Sequence, residues 1–136
     1  MCIFCEIANG TIPAKRVYED DQVIAFLDVA PTSYGHTLVV PKAHIDSFLD
    51  CDPATLHHVM DVAQKLARQL MSNLNCDGIN VLTNAKEAAG QTVPHFHVHL
   101  IPRYEDSAKE NVKFQFGEIG AFDFDQLVAN ITRPVE

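Results

Sequence analysis

Apolar and polar positions divide the chain into short apolar runs, one long helical stretch and weaker helical patterns near its two ends. Residues 2–9 read as a short helical turn that carries Ile3, Phe4 and Ile7 inward and ends at Asn9-Gly10. Ile12-Pro13 opens an extended segment, after which Arg16–Glu19 and Val23–Leu27 flank Asp20-Asp21, predicting a hairpin with an acidic turn. Asp28 follows directly, and Pro31, Thr32, Ser33 and Gly35 mark a loop. His36 then leads into the strand Thr37-Leu38-Val39-Val40, stopped by Pro41. Asp52-Pro53 predicts a helix start, with Asp as N-cap and Pro at the first helical position. Leu56, Val59, Met60, Ala63, Leu66, Ala67 and Leu70 share one face at a period of 3.6, which extends this helix to about Asn73. A strand over Ile79–Thr83 and an irregular loop over Asn84–Gly90 come next. Beyond Arg103, residues 105–111 are charged, Phe114, Phe116 and Ile119 suit an extended arm, and Phe122–Asn130 carries a weak helical pattern capped by Asp123. The predicted class is α+β: about five mostly antiparallel strands, one long helix and a smaller helix near each end.

Between loop and arm lies Gln91-Thr92-Val93-Pro94-His95-Phe96-His97-Val98-His99-Leu100-Ile101-Pro102-Arg103. Its alternation predicts a strand on which His95, His97 and His99 face one way and Phe96, Val98 and Leu100 the other. Three imidazoles spaced about 6–7 Å apart form a row that a core would not choose. The row suits three chemistries: all three rings on one metal ion, a nucleophilic imidazole with neighbours acting as acid, base or phosphate ligand, or anion binding alone. The spacing does not choose among them.

Length and composition narrow the field. A chain of 136 residues, 47% hydrophobic and 21% charged, is expected to be one soluble domain with a real core. No apolar run approaches the roughly 20 residues of a membrane span, and no signal peptide is visible, so the default expectation is cytoplasmic with no membrane partner. A formal charge of −8 argues against nucleic acid as the main partner, while leaving room for a small phosphate ligand. Of four cysteines, Cys51 and Cys76 stand alone, whereas Cys2-Ile3-Phe4-Cys5 has the C-x₂-C spacing with which two thiolates grip a zinc ion. With no second such pair, the remaining ligands must be histidines.

The run His95-Phe96-His97-Val98-His99-Leu100-Ile101 resembles the His-φ-His-φ-His-φ-φ motif of the histidine triad (HIT) family, φ being apolar. Cys2–Asp28, Gly35–His44 and Asn84–Arg103 are similar, in order and spacing, to the Hint branch and its zinc-containing bacterial members. The resemblance implies a single HIT domain over 1–136, with a core over 1–104 and a C-terminal arm over 105–136, assembled as a two-fold homodimer. It implies hydrolysis or transfer of nucleotidyl groups from purine nucleoside phosphoramidates or dinucleoside polyphosphates, without a catalytic metal. By the family pattern His97 is the nucleophile on the α-phosphorus, and His99 touches the phosphate and assists the leaving group. Gln91 and Thr92 hold phosphoryl oxygens, Asn84 anchors the phosphate side, and His36 completes the network behind the nucleophile. Asp28 accepts from the ribose hydroxyls, and Ile3, Phe4, Ile7, Ile12, Phe26 and Val29 surround the base. A structural zinc is implied on Cys2, Cys5, His44 and His95. The resemblance assigns nothing to His57 and His58.

Overall fold

The apolar runs of the second and third strands are continuous because both faces of those strands are covered. The computed structural model describes residues 1–135. Strands β1 (Arg16–Glu19), β2 (Val23–Leu27), β3 (Thr37–Pro41), β4 (Gly78–Leu82) and β5 (Val98–Arg103) form one sheet in the order β1-β2-β3-β5-β4, with every neighbouring pair antiparallel. Helix α2 (Pro53–Leu74) packs Val59, Val62, Ala63 and Leu66 against Val23, Ala25, Val39, Phe96, Val98 and Leu100. On the opposite face the short helix α1 (Ile3–Ala8) packs Phe4 and Ile7 against Ile24, Phe26, Leu38 and Val40. This is the expected α+β architecture.

Three expectations need correction. Ile3 does not turn inward: it is 43% exposed, because the six residues of α1 lay only one face, that of Phe4 and Ile7, on the sheet. Pro41 does not stop β3 but ends it, opposite Val23. The histidine strand begins at Val98, not His95. The backbone N–H groups before it are used elsewhere: His95 N–H donates to Val93 O at 2.8 Å and Phe96 N–H to Ile45 O at 2.6 Å. The Thr83 hydroxyl donates to His97 O at 2.7 Å, so a side chain takes over where the ladder with β4 ends. The alternation survives all the same. Phe96, Val98 and Leu100 enter the core beneath α2, while the rings of His95 and His97 lie edge-on to Phe4 on the other face.

Helix α2 starts where Asp52-Pro53 predicts: the Asp52 carboxylate accepts from Thr55 N–H at 3.0 Å. Its end is set by Asn75, which adopts the left-handed conformation at φ 53°. Asp52→Ala is expected to lower unfolding stability by about 1 kcal/mol, measurable by urea titration, because the cap satisfies an otherwise orphan N–H. The predicted hairpin acid Asp20 does more than turn the chain. Its carboxylate accepts from Tyr18 Oη, from Gln22 and Val23 N–H, and from Nε2 of His58 on α2, both side-chain bonds being 2.7 Å. His58 thus pins the helix to the hairpin, while His57 faces solvent.

After β5 the chain folds back on the loop that precedes β3. Tyr34 N–H donates to Lys109 O and Asn111 N–H to Thr32 O, and the Arg103 guanidinium holds the Glu110 carboxylate at 3.1 Å through two nitrogens. From 113 to 135 every residue is exposed, including helix α3 (Phe124–Thr132), which is capped by Asp123 as predicted. Among the described residues no helix is long and apolar enough to cross a membrane.

Candidate active site and metal-ligand cluster

Hydrogen bonds settle which way each histidine ring faces. The carbonyl of His95 lies 2.7 Å from His97 Nδ1. A carbonyl only accepts, so Nδ1 carries the proton of the neutral ring and Nε2 keeps its lone pair. By the same logic Pro41 O, 2.8 Å from His95 Nε2, leaves the lone pair of His95 on Nδ1. His36 Nδ1 accepts from Thr32 N–H at 3.2 Å, so its proton sits on Nε2 and is donated to His99 Nδ1 at 3.0 Å. His99 therefore presents Nε2–H. One backbone N–H and two backbone carbonyls define four tautomers.

All four rings are held neutral. Burial lowers the pKa of His36, His95, His97 and His99 below the ordinary value, and in His99 burial with the neighbouring His97 and His36 brings it down to about 4. For His36, Asp28 opposes this; its carboxylate is 3.7 Å from His36 Nε2, beyond hydrogen-bond reach. Gly35 sets the approach of His36: its φ is +94°, and a Cβ there would run into Leu74 at the end of α2. The resemblance put His36 behind the nucleophile; its bond is to His99, and the ring of His97 is held by the main chain.

His97 and His99 open on a cleft of about 390 Å³, within the range of small-molecule sites. Ile3, Phe4, Ile7, Ile12, Phe26 and Val29 form its apolar wall, with Asp28 and Thr92 also lining it. One Asp28 oxygen accepts from Ala30 N–H at 2.9 Å, capping the loop; the other is the one nearer His36.

Two residues expected on the phosphate are not among those lining this cleft. The Gln91 amide is committed to backbone: Nε2 donates to Asp46 O at 2.6 Å and Val93 O at 3.0 Å, and Oε1 accepts from Lys86 N–H at 2.8 Å. Gln91 therefore ties the Asn84–Gly90 loop to the segment carrying His44, and it borders a separate cavity of about 670 Å³ with Lys86 and Gly90. Asn84 lies under Gly90, whose φ of +100° closes the loop. Sequence spacing brought both residues near the histidines but could not show that main-chain groups would claim the Gln91 side chain first.

The remaining triad member belongs to a different cluster. Cys2 Sγ and His95 Nδ1 are 3.2 Å apart, Cys5 Sγ and His44 Nδ1 3.3 Å, and Cys5 Sγ and His95 Nδ1 3.5 Å. All four ligand atoms lie within 4.8 Å of one another. A zinc tetrahedron with Zn–S about 2.3 Å and Zn–N about 2.0–2.1 Å has an S···N edge of about 3.6 Å. The distances fit, and so do the outer nitrogens: His95 Nε2 is on Pro41 O and His44 Nε2 is 2.9 Å from Asp46, which raises the His44 pKa. Burial pushes both thiols up. At Cys2 the Cys5 backbone N–H and side chain outweigh it and hold the pKa below the ordinary value, whereas Cys5 is raised to about 11. Among the described residues no group of potential ligands combines all three triad rings.

Residues 9–106 match the HIT domain family. The crystal structure of a HIT family member from Bacillus subtilis superposes with a TM-score of 0.87 at 34% identity, covering 99% of this chain and 97% of that one. A zinc-bound histidine triad family protein from Mycobacterium smegmatis matches with a TM-score of 0.75 at 38% identity, over 82% of this chain and 84% of that one. The adenylylsulfatase HINT3 of Arabidopsis thaliana is 35% identical over 104 residues, 76% of this chain and 53% of that protein. With the triad leading into β5, an inner strand of a five-stranded antiparallel sheet, and the family match running through it, this chain belongs to the HIT family.

Proposed function

We propose that the protein is a nucleotidyl hydrolase or transferase acting on the α-phosphorus of purine nucleoside phosphoramidates, dinucleoside polyphosphates or related mixed anhydrides. The observation that carries this reading is the tautomer of His97: an unprotonated Nε2 at the mouth of an apolar cleft, held there by a backbone carbonyl. Neutral imidazole is both a nucleophile and a competent leaving group near neutral pH. Nε2 of His97 attacks the α-phosphorus and the bond to the leaving group breaks; His99 Nε2–H hydrogen-bonds the departing group while the proton that neutralises it comes from solvent. Water then attacks the nucleotidyl-imidazole, the P–N bond breaks to restore neutral His97, and the water proton is released to solvent. Thr92 serves the phosphoryl oxygens, with Asn84 and the Gln91 loop framing their side of the cleft. The similarity to an adenylylsulfatase supports a nucleotidyl substrate without specifying the leaving group.

A two-step displacement predicts net retention of configuration at a chiral α-phosphorothioate. Inversion, the mark of direct attack by water, overturns the covalent mechanism.

In this reading the free oxygen of Asp28 takes the ribose hydroxyls. Asp28→Ala is expected to weaken a purine ribonucleotide by about 1.5–3 kcal/mol, the range for hydrogen bonds to a charged group. A dideoxy analogue should lose much less by calorimetry; equal losses would remove Asp28 from the ribose site.

Zinc on Cys2, Cys5, His44 and His95 completes the proposal. When bound, it supplies a closed crosslink between α1, the end of β3 and the entry to β5, with no open position for substrate. A two-fold dimer is also part of this reading, built on the exposed edge of β4 and the neighbouring face of α2, where Met71 and Val81 are open to solvent.

A further inference from the structure

Lys86 holds a backbone conformation that lysine does not choose. Its φ is 78° and its ψ 155°, outside the left-handed well that Asn75 uses and in a region left almost entirely to glycine. The loop imposes it: Lys86 N–H donates to Gln91 Oε1 at 2.8 Å, and Lys86 O accepts from Ala89 and Gln91 N–H at 3.1 and 3.2 Å. Glycine would make the same bonds without the strain. Strain of this kind clusters at working sites, which directs attention to the side chain that the strained backbone carries.

That side chain borders the cavity of about 670 Å³ beside the cleft. Thr92 lines both spaces, so they meet at the residue that serves the phosphoryl oxygens in the reading above. With the base on the apolar wall and the α-phosphate at Thr92, whatever lies beyond that phosphate extends into this cavity. The other polar side chains around it are mostly engaged. Asp46 is on His44, Ser47 donates to Asp50 and accepts from Leu49 N–H, and both ends of the Gln91 amide are taken. Among the described residues Lys86 is the only lysine or arginine lining the cavity, and its ammonium has no carboxylate partner.

The neutral histidines point to the same class of substrate. An amine leaves phosphorus only after gaining a proton, and rings held neutral by burial are no acids to supply it. A phosphate or sulfate leaves as a stable oxyanion, which needs a cation beside it and no proton.

We infer that Lys86 binds the oxyanion of the leaving group and sets a preference of this chain for mixed anhydrides, with polyphosphate or sulfate departing, over phosphoramidates. The inference rests on the nucleotidyl-transfer reading above and adds its leaving-group subsite. As the P–N bond to His97 Nε2 forms and the bond from the α-phosphorus to the bridging oxygen breaks, the electron pair of the broken bond stays on the departing oxygen. The ammonium holds that charge without giving up a proton. The test compares diadenosine tetraphosphate, adenosine 5′-phosphosulfate and an alkylamidate of AMP on the full chain and on Lys86→Met, Lys86→Arg and Lys86→Gly. Lys86→Met should lower kcat/KM for the anhydrides, relative to the amidate, by about tenfold, the low end for a hydrogen bond to a charged group. Lys86→Arg should recover most of that ratio. Because Lys86 is exposed, added salt should narrow the ratio in the unmodified chain and leave that of Lys86→Met flat. Lys86→Gly should lose the ratio while unfolding at a higher temperature, which separates a missing cation from a damaged loop. A loss confined to the tetraphosphate or to the phosphosulfate supports the subsite and identifies which oxyanion it takes. Equal losses on all three substrates make Lys86 a loop former and overturn it, as does a ratio that Lys86→Met leaves unchanged; in both cases the nucleotidyl-transfer reading stands. A chain that turns over none of the three removes that reading and the subsite together.

Discussion

Replacing His97 with alanine is expected to lower turnover of a nucleoside phosphoramidate by roughly four to six orders of magnitude, the scale on which enzymes lose rate when a nucleophile or its partner is removed. Zinc content and thermal midpoint should change little. The ring of His97 faces the cleft and bonds the carbonyl of His95, and among the described residues it is not part of the Cys2–Cys5 cluster. Alanine keeps the main chain on which Thr83 rests at the carbonyl of residue 97. Single-turnover kinetics with metal analysis on the same preparation check both halves. A His97→Ala protein that has lost its zinc, or a chelator that stops turnover while the protein stays folded, would make the metal catalytic and favour a zinc hydrolase.

Cys5→Ser and His95→Ala should act in the opposite sense. Each removes a donor from a closed four-ligand site, and metal bound only by the folded state is folding free energy. At a thousandfold excess of zinc over its Kd that linkage contributes about 4 kcal/mol, on the order of 10 °C in Tm for a domain of this size. Zinc should fall, the midpoint should fall with it, and the folded fraction of Cys5→Ser should keep its turnover. His95→Ala should match it in zinc loss and add a secondary loss of rate. The carbonyl of residue 95 still faces His97 Nδ1, but the ring that fixed that carbonyl between Pro41 O and the two thiols is gone. A His95→Ala variant with full zinc occupancy would remove His95 from the cluster. Calorimetry with and without chelator measures each outcome.

Much of this molecule is legible along the chain, because the elements are local. The period of α2, its Asp52-Pro53 start, the hairpin around Asp20 and the α3 cap at Asp123 all depend on residues within a few positions of one another. So does the alternation that sends Phe96, Val98 and Leu100 beneath α2. The errors arise where a distant group intervenes. Ile3 is apolar, and only the placement of α1 on the sheet decides that it is left outside. The His95–His97 segment has a strand's pattern, but its N–H groups are taken by Val93 and Ile45 before the ladder can use them.

The same division holds for the site. The sequence by itself determined that three imidazoles share one face, that two thiols are spaced to hold one ion, and that an acid follows β2 directly. Spacing alone could not tell the three histidines apart, because it is identical for all of them; the family resemblance gave them different roles, but which nitrogen of each ring carries the proton depends on what meets it. That was decided by tertiary structure: Pro41 O turns His95 toward the thiols, His95 O turns the lone pair of His97 to the cleft, and Thr32 N–H, through His36, leaves a proton on His99. Gln91 follows the same rule, since Asp46 O and Lys86 N–H engage its amide before any substrate could. Local sequence fixes which side chains a strand presents; hydrogen bonds from groups up to 93 residues away fix what each can do, because a tautomer is chosen by its partner and not by its neighbours in the chain.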